Sequence, residues 1–311
     1  MPKRRHRWPY RLVPLALFVG LLVSGCGQQY VLLHPKGPVG TTELHLLTLS
    51  SLAMVVIIIP VFILFGIAVW RFRDKPGNKA PYRPDWHGHK GLEILWWVIP
   101  AVVLTVIAIP TVKQTYALSK LPATTKNPVV IDVTSLTWKW LFQYPGHHVA
   151  TVNYVEIPAG QPVLFELTAD SAMNTFWVPQ LGGMEYTMPN SVLPLWLEAN
   201  KPGVYWGRSG QYSGLKFEKM TFNVKAVSPQ AFNRWLIKTG NTAPPMTLAK
   251  YHALLKFNTV GVATYGSYPA NTFPSVTKGF TLQGGMYTTM HDQKNLIYVP
   301  MSGMAKTQGN P

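Results

Sequence analysis

Cysteine is nearly absent from this chain, with one in 311 residues. That excludes an internal disulfide framework and any site needing two thiolates from this chain. Acid is scarce too, since 12 Asp and Glu stand against 28 Lys and Arg, for a formal net charge of +16. Charged residues make up 13% and hydrophobic ones 47%, a balance that points to a chain partly dissolved in lipid. The basic excess suggests nucleic acid, yet no block of five or six basic residues occurs beyond the N-terminus. The densest remaining positive cluster lies in one short loop, which argues against nucleic-acid binding. No internal repeat, phosphate loop or catalytic triad stands out. The length allows one or two domains with a real core.

Lys3, Arg4, Arg5, Arg7 and Arg11 precede an apolar stretch from Leu12 to Val23, and Val23-Ser24-Gly25-Cys26 follows. A basic region, a short apolar run and small residues in that order make a secretory signal over residues 1–25. Small residues before the chain's one cysteine resemble the bacterial lipobox, which makes Cys26 a lipidation site and the new N-terminus. The other reading is a first membrane helix with a buried cysteine. The run is shorter than the roughly 20 residues a span needs.

Leu46 to Trp70 is 25 residues without a formal charge, enough to cross a ~30 Å hydrocarbon layer with tilt. Pro60 near its middle predicts a kink. Ile94 to Val112 is a second uncharged run, with Pro100 and Pro110 inside it. The boundaries read as a segment 26–45, a first membrane helix 46–70, a loop 71–91 and a second membrane helix 92–117. Trp70, Trp96 and Trp97 fit an interfacial aromatic belt. The loop carries Arg71, Arg73, Lys75, Lys79, Arg83 and Lys90 against Asp74 and Asp85, so the positive-inside rule places it in the cytoplasm. Both ends of the mature chain then lie outside, as the lipobox also requires.

From about Pro128 the pattern turns to short alternating runs: Val129–Val133, Pro162–Leu167 and Lys219–Val224 read as strands. Pro158-Ala159-Gly160-Gln161 and Asn200-Lys201-Pro202-Gly203 read as turns. An antiparallel sandwich or barrel over 128–227 follows. Ala231, Phe232, Trp235 and Leu236 after Ser228-Pro229 have helical spacing, and Leu248 to Leu255 is a second short helix, giving a helical arm over 229–257. Residues 258–311 are rich in Gly, Thr, Tyr and Pro and read as an irregular tail. The fold class is membrane α + β: a two-helix transmembrane hairpin, a β-sandwich or barrel, and a small helical C-terminal arm.

This order resembles subunit II of the haem–copper respiratory oxidases. Trp138-Lys139-Trp140-Leu141-Phe142-Gln143-Tyr144-Pro145 is similar to that family's aromatic segment opening its cupredoxin domain. Ser171-Ala172-Met173-Asn174-Thr175-Phe176-Trp177-Val178-Pro179-Gln180-Leu181-Gly182 is similar to its first metal-loop region, and Ser213-Gly214-Leu215-Lys216-Phe217 to the end of its second. The family's binuclear copper site implies two bridging Cys, two His, a Met and a carbonyl. Here Asn174 stands at the first His and Leu215 where the Met is expected, and residues 203–212 hold no Cys or His. The resemblance therefore narrows to the quinol-oxidase branch without that copper, bo type in particular.

That branch implies a chain with no cofactor of its own, bound to a subunit I that carries haems and copper and takes electrons from ubiquinol or another membrane quinol. Small subunits III and IV and membrane lipid are the other implied partners. The implied location is the bacterial inner membrane, with the β domain in the periplasm. Glu93, at the cytoplasmic start of the second span, is implied at the mouth of a proton-uptake pathway; the plainer reading is an acid that favours the helix dipole. Trp138 and Trp140, at alternate strand positions, are expected to pack on subunit I. Subunit II of a cytochrome c oxidase and a membrane-anchored binding or assembly lipoprotein are the competing readings. His147 with His148, and Met286, Met290, Met301 and Met304 beside His291, are remoter metal candidates. His87 and His89 read as loop-surface residues. Glu156, Glu166, Asp170 and Glu185 form no recognisable acid–base pair.

Overall fold

The computed structural model describes residues 30–81, 85, 88–123, 125 and 127–273. Two long helices come first: α1 (Pro38–Arg71) and α2 (Lys90–Leu118). Pro38 sits in the first turn of α1, where its missing N–H leaves no bond unmade. The His89 side chain caps α2 by accepting from the Leu92 amide at 3.3 Å. Pro60 lies inside α1, and Pro100 and Pro110 lie inside α2. The most apolar stretch of each helix has none of its residues buried by the rest of the chain. Such surfaces need lipid or a partner.

Helix α1 begins eight residues before the uncharged run, because its first turns are fastened to the β domain. The Lys36 amide donates to the Gln180 carbonyl (2.6 Å), Gly40 to Leu181 (3.0 Å) and Asn200 to Lys36 (2.8 Å). A Cβ at Gly182 would lie 2.7 Å from Val39 Cγ1, so glycine there permits the close approach.

The strands are β1 (Val129–Leu136), β2 (Lys139–Tyr144), β3 (Val149–Val152), β4 (Tyr154–Pro158), β5 (Val163–Ala169) and β6 (Asn174–Trp177). After them come β7 (Met184–Thr187), β8 (Leu193–Leu197), β9 (Gly203–Ser209), β10 (Thr221–Val227), α3 (Pro229–Thr242), α4 (Leu248–Leu255) and β11 (Ala263–Tyr265). One sheet runs β11-β3-β2-β1-β5-β8 and the other β4-β10-β9-β6-β7. Most pairs are antiparallel, but β1 lies parallel to β5 and β4 to β10.

Between the sheets sits an aromatic core. Phe176 stacks on Phe222 with ring centroids 4.9 Å apart, and Trp140 meets Phe222 at 5.3 Å and Phe176 at 5.5 Å. A second cluster lies on the far side of the six-stranded sheet, where Leu136, Leu141, Ala150 and Val152 are covered by Met246, Tyr251, Leu254 and Tyr265. The sequence beyond Phe257 reads as irregular, yet Ala263, Thr264 and Tyr265 pair with Val152, Thr151 and Ala150. The Tyr154 and Thr264 hydroxyls lie 2.6 Å apart and fix that register. Residues 274–311 lie outside the described residues.

Candidate functional site

Three short polar side chains meet where the two sheets close at one end of the core. Asn174 opens β6, and its Nδ2 donates to Ser135 Oγ of β1 (2.6 Å) and to the Ala172 carbonyl (3.1 Å). Ser209 ends β9, and its Oγ lies 3.2 Å from both Asn174 Oδ1 and the Gln211 carbonyl, each an acceptor for its single proton. Asn174, Ser135 and Ser209 are at most 2% exposed. A buried polar group needs such partners, and each of the three has one here.

The loop after β9 returns through a short 3-10 turn at Phe217–Lys219 to Met220. Met220 is 1% exposed; its carbonyl accepts from the Ser209 amide (3.1 Å) and the Trp140 indole (3.4 Å). Leu215, by contrast, is 85% exposed. The expectation that Leu215 fills the methionine position is therefore corrected: the chain turns back through Phe217–Lys219, and Met220 is the loop residue that reaches the core beside Ser209.

Trp138 is held over this loop. It occupies the turn between β1 and β2 with φ at 59°, a left-handed conformation uncommon for a bulky residue. Its indole donates to the Ser213 carbonyl (3.1 Å), and the Lys216 ammonium lies 5.9 Å from its ring. Trp138 and Trp140 do not share a face as expected. Trp140 is fully buried in the aromatic core, so its place in a subunit interface is withdrawn, while half-buried Trp138 stays at the surface.

At the other end of the molecule Glu93 lies in the first turn of α2, exposed, its amide donating to the His89 carbonyl at 3.0 Å. Its carboxylate folds back toward Gly88, where a Cβ would stand 2.7 Å from Oε1.

The chain matches two family models in succession: the transmembrane domain of cytochrome c oxidase subunit II over residues 39–113, and its periplasmic domain over residues 141–227. It is 44% identical over 259 residues to a quinol oxidase subunit 2 of Bacillus cereus, covering 83% of this chain and 88% of that one. It is 37% identical over 244 residues to a cytochrome bo(3) ubiquinol oxidase subunit 2 of Pseudomonas aeruginosa, covering 78% and 73%. The chain belongs to the quinol oxidase subunit 2 family. Among solved structures, the periplasmic domain of cytochrome oxidase subunit II from Bradyrhizobium japonicum matches at 18% identity and a TM-score of 0.35, over 37% of this chain and 94% of that one.

The cupredoxin-like domain of a quinol oxidase subunit 2 raises the question of copper. The donors gathered around Asn174 are an amide and hydroxyls, hard neutral groups that do not fit a centre built on thiolates and imidazoles. The one cysteine, Cys26, lies outside the described residues. Among the described residues no three His, Cys, Asp or Glu converge as metal ligands. His147 and His148 are exposed on the β2–β3 turn. His89 caps α2, whereas His87, Met286, Met290, His291, Met301 and Met304 lie outside the described residues.

Sequence reasoning missed Lys139, which is fully buried on β2. Its Nζ donates to the Leu254 and Lys256 carbonyls, both at 2.8 Å, at the end of α4. Burial pulls its pKa down to about 8, with the field of Asp170 acting against that shift. A lysine between two tryptophans carries no sequence mark of burial. Among the other acids, Glu156 pairs with Lys225 at 3.2 Å, and burial raises the pKa of Asp170 to about 6 despite nearby Lys139.

Proposed function

We propose that this chain is the non-redox subunit 2 of a proton-pumping quinol oxidase, in which quinol and oxygen become quinone and water. The observation that supports the reading is the Asn174–Ser135–Ser209 cluster: hydroxyls hydrogen-bond to the amide of Asn174, the residue that the resemblance sets at the family's first His. Electrons then have no relay in this chain. The domain acts as a cap on subunit I, which holds the haems and copper, with Trp138 and its loop facing that partner. Subunits III and IV complete the assembly. The basic loop sits in the cytoplasm, the β domain in the periplasm, and Cys26 carries the lipid anchor. Subunit II of a cytochrome c oxidase is disfavoured by the same donor set. A free-standing binding lipoprotein is disfavoured by two apolar helices that the chain itself leaves uncovered.

Glu93 is the proton-handling residue of this reading. It stands at the cytoplasmic end of α2, where an exposed carboxylate collects protons for a pathway in subunit I. Glu93→Gln is expected to slow oxygen uptake several-fold in the complex purified through a tag on this chain, with haem content unchanged. Unaltered turnover would remove Glu93 from the pathway, and a haem-free preparation would contradict the subunit assignment itself.

A further inference from the structure

The outer face of the six-stranded sheet carries a row of oxygen-bearing side chains that the oxidase reading does not use. Asp132 on β1 stands directly beside Gln143 on β2 and beside Glu166 on β5, in register across three adjacent strands. Neighbours so placed have Cβ atoms about 5 Å apart on one face. The alternation fixes which face this is: Ile131, Val133 and Phe142 enter the core, so Asp132 and Gln143 point the other way. Asp132 is 8% exposed and Gln143 fully buried. The Tyr268–Thr272 segment lies over them.

Gln143 shows what the row is missing. Its Nε2 donates to Thr272 Oγ1 at 2.7 Å, and that hydroxyl spends its own proton on the Pro269 carbonyl at 3.0 Å. The amide orientation is thus set, and Gln143 Oε1 is left as a buried acceptor with no donor among the described residues. One step along β1 on the same face, Thr134 Oγ1 is also buried without a partner among them. Neither Asp132 nor Glu166 has a basic side chain within ion-pair distance among the described residues. Burial and the Glu166 charge together raise the Asp132 pKa to about 8. The Asp132 charge in turn adds to burial in raising Tyr268 to about 12, which places that phenol close by. His148 packs against the Tyr268 ring at 6.0 Å. Among the described residues, the groups placed at the row are the carboxylates, the Gln143 amide and the Thr134 and Tyr268 hydroxyls.

We propose that Asp132, Glu166 and Gln143 form a binding site for a hard divalent cation, calcium in size and chemistry. Two carboxylates and an amide carbonyl, with water and the Thr134 hydroxyl completing the shell, are an all-oxygen set that suits calcium. Among the described residues the row holds no imidazole, thiolate or thioether to favour a transition metal. The ion neutralises the carboxylate pair, supplies the partner that Gln143 Oε1 lacks, and ties β2, β1 and β5 together beneath the C-terminal segment.

The test measures radioactive calcium uptake by equilibrium dialysis on the protein as purified in detergent, with whatever subunits accompany it, at pH 8. Wild type is expected to hold about one calcium more per chain than Asp132→Asn. Thermal unfolding of both in EDTA confirms that Asp132→Asn is folded. Calcium chloride is expected to raise the wild-type midpoint and leave the variant unmoved, against potassium chloride at equal ionic strength. Equal uptake by wild type and variant overturns the site. So does a wild type that takes up no calcium, which would mean that the carboxylate pair is served by a shared proton alone.

Discussion

Asn174 satisfies two serines at once, and its replacement has a calculable cost. In Asn174→Ala the hydroxyls of Ser135 and Ser209 lose their side-chain partner inside the core, a penalty of about 1–3 kcal/mol. Chemical denaturation of the chain should show that loss, while oxygen uptake with quinol by the assembled complex stays at the wild-type rate. A collapse of turnover at normal assembly would mean that the cluster does more than hold the sheets together. Asn174 was legible from its neighbours in the first loop-like motif. Ser135 and Ser209 were not, because a serine ending or lining a strand has no periodicity to mark it as buried. Leu215 misled for a related reason: counting along a loop ignores the 3-10 turn at Phe217–Lys219 that brings Met220 inward. Trp140 was placed on the wrong side because Trp138 leaves the strand with a left-handed φ of 59°, which breaks the alternation between them.

The arm formed by α3, α4 and β11 is fixed to the sheet by Lys139 as much as by apolar packing. The lysine closes the end of α4, where carbonyls are left without helical partners, and a positive group there also suits the helix dipole. Lys139→Met keeps the volume and removes both donors. Hydrogen exchange of residues 248–265 is then expected to speed up about five- to a hundredfold, matching about 1–3 kcal/mol of lost local stability, while β5, β6 and β10 keep their protection. Uniform acceleration across the domain would show that Lys139 supports the whole fold and not the arm. The membrane helices were legible as uncharged runs, and α3 as a Ser-Pro start with apolar spacing. The first turns of α1 were hidden, since Gly37 to Glu43 gain their order from hydrogen bonds to the loops around Gln180 and Asn200. Strand β11 was hidden too, because three residues are too few to show a period.

As a whole the molecule is a compact β domain standing on two helices that it does not cover. Every long apolar face of those helices is open in the single chain, whereas the β domain buries its own core. That division fits a subunit whose apolar helices are completed by others and whose β domain packs on its own core. The cupredoxin-like frame persists through its packing: the stacked Phe176 and Phe222 with Trp140 fill the space between the sheets without any metal donor. The proposal that this chain holds no electron relay is the centre of the account. The direct measurement is oxygen consumption by the complex purified through this chain, supplied in turn with a membrane quinol and with reduced cytochrome c. Consumption with quinol and none with cytochrome c is the predicted result. Sustained consumption with cytochrome c would contradict it, because electrons would then enter through a domain whose buried site, among the described residues, offers no thiolate or imidazole.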